Sequence, residues 1–124
     1  MNKLAGMTLE GGLHVWDCRQ KTEAGVLAEA RRKVGSSTVW TGRHSPHNRE
    51  LLMLGAGGGT LSLHQYHYPD NKGLAGRLTE LQTQQISDQP INSMDWSQDK
   101  NGLLVTSAFD QRIRIVIVTK LNLI

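Results

Sequence analysis

Apolar positions in this chain come in short runs of period two, separated by polar or glycine-rich breaks. Leu61 and Leu63 alternate with polar neighbours, and Ile113 and Ile115 do the same. Period two is the spacing of a β-strand with one buried face. It predicts strands near 38–44, 51–56, 60–67 and 79–86, broken at Ser45–Asn48, at Gly57–Gly59 and at Pro69–Gly76. A second set is expected near 90–96, 103–107 and 112–119, with Ser97–Gly102 as its first turn. Upstream, the pattern marks strands near 4–8 and 12–18 and a weaker one near 25–30. Glu23–Lys33 is rich in Ala, Leu, Glu and Arg and competes as a short helix. No 3.6-residue stripe runs beyond about three turns, so the expected class is all-β.

The runs repeat. Thr38-Val39 falls over Pro90-Ile91, 52 positions further on, and without gaps His44-Ser45 then falls on Trp96-Ser97. Leu51-Leu52 meets Leu103-Leu104, and Leu61 and Leu63 meet Ile113 and Ile115. A shorter copy at the start sets Glu10–Trp16 over Gly58–His64, 48 positions on, and over Asp110–Val116. Self-similarity at a near-fixed spacing is the mark of a repeat architecture.

Leu13-His14-Val15-Trp16-Asp17 resembles the dipeptide that closes a WD40 repeat. Ser107-Ala108-Phe109-Asp110-Gln111-Arg112-Ile113-Arg114-Ile115 resembles its serine, turn aspartate and basic-aliphatic strand. The resemblance implies a partial WD40 β-propeller of about two and a half four-stranded antiparallel blades. Residues 1–36 would be a partial blade of outer strands, 37–88 a blade, and 89–124 a final blade lacking its outermost strand. The tryptophan position holds Trp16, but His64 and Val116 in the other copies, and the aspartate position holds Asp110, but Glu10 and Gly58. Trp16, Asp17, Ser107 and Asp110 are the residues carried over as structural members of the motif.

A narrower resemblance rests on Leu9–Asp17, on Ser37–Trp40 with Asn48–Leu51, and on the tail from Gln89 to Leu121. These stretches resemble the C-terminal end of the WD-repeat dynein axonemal assembly factors. What this implies is a cytoplasmic, non-enzymatic scaffold without cofactor. Its implied partners are R2TP and prefoldin-like co-chaperone subunits and dynein heavy chains during preassembly for the cilium, with a further connection to apoptosis. A different binding class, a WD40 reader of modified peptides such as histone tails, would need an aromatic cage.

Composition narrows the alternatives. At 124 residues the chain has the size of one domain, and a formal charge of +3 spread along it makes no nucleic-acid patch. A single cysteine, Cys18, excludes an internal disulfide framework and a cysteine-based zinc site, and suits a reducing compartment. No secretory signal is evident, and the apolar run Ile113–Val118 is too short to span a membrane.

Candidate chemistry is sparse. Gly55–Thr60 lacks the Gly-Lys-Ser/Thr ending of a phosphate loop and reads as a tight turn. His44 with His47, and His64 with His67, have metal-like spacing, but residues three apart on a strand face opposite sides. No nucleophile elbow presents Ser107 to a histidine and Asp110. Cys18 is expected to be packed, and Arg31-Arg32-Lys33 to be a solvated loop between blades. Candidate partner-binding residues are Trp40, Asn92 and Phe109, on the face formed by loops entering the innermost strands. Trp40 is expected to share strand parity with Gly42 and His44.

A propeller needs ~4–8 blades, each burying its faces only against neighbours. The expectation is therefore the C-terminal third of a longer polypeptide, whose other blades are partners. Alone, the 124-residue chain is expected to be oligomeric, partly unfolded or poorly soluble, with an open edge along Ile113–Val118. Sedimentation with far-UV circular dichroism checks this: a sharp monomeric boundary with cooperative melting would defeat it.

Overall fold

A computed structural model describes residues 3–22, 25–71 and 74–124. Among these residues, ten strands form three antiparallel sheets. The first joins β1 (Lys3–Met7), β2 (Gly12–Lys21) and β3 (Leu27–Lys33) in that order. The second is four-stranded, β4 (Val39–His44), β5 (Leu51–Ala56), β6 (Thr60–His67) and β7 (Arg77–Gln85). The third joins β8 (Ile91–Trp96), β9 (Leu103–Ala108) and β10 (Ile113–Ile117).

Leu27–Lys33 is a strand, so Arg31-Arg32-Lys33 ends β3 and is not a loop. Of the helix considered over Glu23–Lys33, Glu23 and Ala24 lie outside the described residues, as do Lys72 and Gly73 of the Pro69–Gly76 break. β10 stops at Ile117, short of the expected 119. The chain turns back there: the Val118 amide donates to the Gly102 carbonyl, Lys120 takes φ 62, and Leu121–Leu123 form a 3-10 turn that the alternation had not marked.

The middle sheet is covered on both faces. Along β5 every residue is buried. Leu51 and Met53 pack with Leu61, Leu63, Ile91 and Trp96 of the core shared with the third sheet. Leu52 and Leu54 pack with Leu13, Val15, Ala30 and Tyr66 of the core shared with the first. Alternation thus sends successive β5 side chains into two different cores. The inner strands come very close: a Cβ on Gly55 would lie 2.8 Å from Ile91 Cγ2, and the Trp96 indole N–H donates to the Arg43 carbonyl at 3.0 Å.

The repeat is written into the backbone as well. Gly11, Gly59 and Gln111, equivalent in the three copies, turn at φ 88, 87 and 66. Gly11 and Gly59 also offer their carbonyls to the next connection, Gly11 to the Val34 amide and Gly59 to those of Ile86 and Ser87. A side chain on Gly59 would run into the Ser87 carbonyl, which explains a glycine there better than any phosphate-binding role.

The outer sheets expose one face each, and the two faces differ. β10 shows Ile113, Ile115 and Ile117 to solvent, with Ile113 76% exposed, and Val105 lies opposite Ile115. The first sheet instead shows His14, Trp16, Glu29 and Arg31. Replacing Ile91 by Ala is expected to cost about 2–5 kcal/mol, because it opens a cavity at the tightest approach of two sheets. Ile113→Ala should stay within about 0.5 kcal/mol of the parent chain. Urea unfolding of both variants measures the difference.

Candidate functional site

Trp40 and Asn92 occupy equivalent places on the inner strands β4 and β8, and each falls at a shift of register. Val39 pairs with Ala56 and Thr41 with Gly55, leaving Trp40 unpaired; Ile91 pairs with Ala108 and Ser93 with Ser107, leaving Asn92 unpaired. Such a bulge inserts one residue and re-aims its side chain. The parity expected of Trp40 with Gly42 and His44 is therefore broken. Gly42 faces Leu54 and Met7 in the core, whereas Trp40 is 48% exposed.

Phe109 reaches the same place from the β9–β10 turn. Its amide donates to the Pro90 carbonyl at 2.9 Å, and the Gln111 amide donates to the Ala108 carbonyl at 3.2 Å, which pins the turn and leaves the ring 50% exposed. Trp40 and Phe109 meet edge to face, with centroids 5.3 Å apart and planes at 81°. Trp40 Nε1 lies 3.3 Å from where a Cβ on Gly57 would stand, so the indole rests across the glycine turn. Beside the pair, the Ser107 hydroxyl donates to Asn92 Oδ1 at 3.1 Å. The result is a rigid aromatic ridge bridging the second and third sheets, on the side where connections enter the inner strands. It carries no nucleophile or acid–base pair; what it offers chemically is apolar contact with polar groups alongside.

The motif residues fall into separate networks. Asp110 accepts from the Ser87 hydroxyl at 2.9 Å, the Arg112 amide at 3.1 Å and Arg114 Nη2 at 2.5 Å. Ser107, expected to share this turn, bonds to Asn92 instead, and the serine on Asp110 is Ser87, from the connection into β8. Ser87 was missed because 23 positions separate it from Asp110. Arg114, four residues after Asp110, was the more legible signal. Trp16 donates its indole N–H to Glu29 Oε2 at 2.9 Å, while Glu29 Oε1 meets His14 Nδ1 at 2.9 Å. The His14 hydrogen bond is the chief cause of a Glu29 pKa below the ordinary carboxylate value. Asp17 is buried and accepts from the Arg19 amide at 3.0 Å.

The other candidates separate. Cys18 is exposed, not packed, because alternation along β2 places it on the outward side with His14 and Trp16, opposite buried Leu13, Val15 and Asp17. His64 is fully buried while His67 reaches Thr79 Oγ1 at 2.9 Å, so the two rings lie on opposite faces of β6. Among the described residues no group of three or more His, Cys, Asp or Glu could hold a metal ion, and no helix is long and apolar enough to cross a membrane.

No family model matches the chain. Curated relatives named dynein axonemal assembly factor 10 align over 98% of it, at 46% identity in Homo sapiens, 44% in Danio rerio and 43% in Chlamydomonas reinhardtii. The chain spans 37% of the length of these relatives. Among solved structures, the C-terminal WD40 domain of Sif2 is similar at TM-score 0.70 and 13% identity, covering 94% of this chain and 31% of that one. A chain of the mitotic checkpoint complex is similar at TM-score 0.69 and 24% identity, covering 94% and 32%. The likeness establishes the fold: three sheets of a WD40 propeller without closure of the ring.

Asp110 supplies a test of the turn that holds Phe109. Arg114, then Ser87 and the Arg112 amide, hold its pKa down from 3.8 to about 2. A lowered carboxylate pKa stabilises the folded state above the ordinary value, and the benefit fades as pH falls through the lowered one. Asp110→Asn should therefore melt below the parent chain at neutral pH, and the two melting temperatures should converge as pH drops from 3.8 through about 2. Calorimetry across that range checks the convergence.

Proposed function

Over the region it covers, the chain belongs to the WD-repeat family of dynein axonemal assembly factor 10, and we propose that it acts as a non-enzymatic docking scaffold in the assembly of axonemal dynein. The observation that carries the reading is the exposed Trp40–Phe109 ridge, held by two sheets at once. Half-exposed tryptophan and phenylalanine side chains on a rigid support are anchors of the kind that dominate protein interfaces. A β-sheet framework fixes their relative position, so a partner meets a preformed surface and little ordering entropy is lost on binding.

In this reading the partners are R2TP and prefoldin-like co-chaperone subunits and dynein heavy chains, in the cytoplasm, with the names of the relatives as support for the dynein part. Trp40 and Phe109 form the hydrophobic anchor, and Asn92 with Ser107 supplies hydrogen bonds at its rim. Catalysis is not part of the proposal. The division into segments 1–36, 37–88 and 89–124 is retained as the proposed blade organisation.

Binding of co-chaperone subunits and dynein heavy-chain segments to the immobilised chain, against an array of modified histone-tail peptides, tests the reading. Trp40→Ala and Phe109→Ala should each weaken capture of the assembly partners by roughly tenfold or more, the range of a hot-spot residue. Their circular dichroism should stay that of the parent, because both side chains are half exposed. Unchanged capture, or selective binding to modified histone peptides, would sink the proposal.

A further inference from the structure

His64 is fully buried on β6, and neither ring nitrogen has a hydrogen-bond partner. Its ring lies in the seam between the first and second sheets, on the same face as Tyr66 and beside Leu52 on β5. Across β7 the Glu80 carboxylate, at the solvent edge, comes within 3.8 Å of Nε2. From β3 of the first sheet comes Arg32, whose Nε is likewise buried without a partner. The equivalent positions in the other two copies hold Trp16 and Val116, neither of which takes up a proton.

We infer that Arg32, His64 and Glu80 make the seam between the first and second sheets proton-sensitive, so that proton uptake by His64 releases β1–β3 from the middle sheet. A neutral imidazole is the cheaper form to bury among Leu, Val and Ala side chains. An imidazolium in the same place would be stripped of water and face the Arg32 guanidinium, with Glu80 and the Ser62 backbone as partial compensation. Burial is the leading cause that holds the His64 pKa below 6.5; Arg32 lowers it further and Glu80 opposes the shift. A histidine lowered in this way costs the closed seam nothing above 6.5 and destabilises it progressively as pH falls below that value.

Other titratable groups in this layer are Lys3 on β1, Asp17 on β2, His44 on β4 and Tyr66 on β6. Lys3 is engaged by the Tyr68 hydroxyl and lies over the Tyr66 and Tyr68 rings. Asp17 is held by Arg19. His44 is also lowered, first by burial and then by Lys3, and is a competing source of acid sensitivity in the seam. The opposite core, between the second and third sheets, is built from Leu, Met, Ile, Trp and Ala, and the Asp110 carboxylate at its edge, with a pKa lowered to about 2, keeps its charge where His64 begins to take up a proton. Mild acid should therefore loosen one seam and spare the other.

Amide hydrogen exchange on the full chain, expressed as protection factors to remove the intrinsic pH dependence, tests this. Protection of Leu13, Val15 and Ala30 should fall as pH drops below 6.5, by up to about tenfold per pH unit for one proton, while Met94 and Leu104 hold theirs. His44→Gln should keep most of the fall, and adding His64→Leu to it should abolish what remains. The inference is overturned if protection in β2 and β3 is flat, if β8 and β9 lose protection in parallel, or if the fall persists when both histidines are replaced. Should His64→Leu fail to fold, the imidazole resonance of His64 in the parent chain decides. Titration below 6.5 together with loss of β2 and β3 protection supports the seam, and independent titration at or above 6.5 refutes it.

Discussion

The middle sheet can exist only because both of its faces are covered. β5 is apolar at Leu51, Leu52, Met53 and Leu54 without a break, and in a pleated strand such a run must be buried on two sides. The first and third sheets supply the two covers, and each in turn buries one face of its own. Stability is therefore a property of neighbours, as in any repeat array. The Trp96 indole bonded to the Arg43 carbonyl, and Ile91 lodged against Gly55, show how close that dependence is at the inner strands.

The aromatic ridge inherits the same dependence. Trp40 belongs to the second sheet and Phe109 to the third, so their edge-to-face contact exists only while the seam between those sheets is closed. The seam's other anchor is the Asp110 turn, where the Ser87 hydroxyl and Arg114 hold one carboxylate and so set the direction in which Phe109 leaves the sheet. Packing and the proposed recognition thus depend on the same junction. The junction to the first sheet is of another kind, with His64, Arg32 and Glu80 where the other has aliphatic contact. Two seams in one short array carry different chemistry, though they arise from equivalent positions of one repeat.

The exposed faces at the two ends follow from the same alternation. Isoleucines 113, 115 and 117 stand in register on the outer face of β10 because the intervening Arg114 and Val116 point inward. At the other end the exposed face is the opposite one of the sheet, occupied by the His14–Trp16 stack and by Glu29, which satisfies both rings. One end is aliphatic and the other polar and aromatic, and any neighbour would meet unlike surfaces at the two ends.

The sequence by itself determined the strands, their all-β class and the turns between them. Those features depend on period-two alternation and on residues able to hold positive φ, and both are local properties. It also determined the repeat, since Leu51-Leu52 and Leu61 and Leu63 fall in unbroken register on Leu103-Leu104 and Ile113 and Ile115. Only the tertiary structure decided that a bulge turns Trp40 out to meet Phe109, that Asp110 takes Ser87 and leaves Ser107 to Asn92, and that His64 is sealed in a seam. Each of these depends on the register between strands and on which faces of separate sheets come together, and long-range packing sets both.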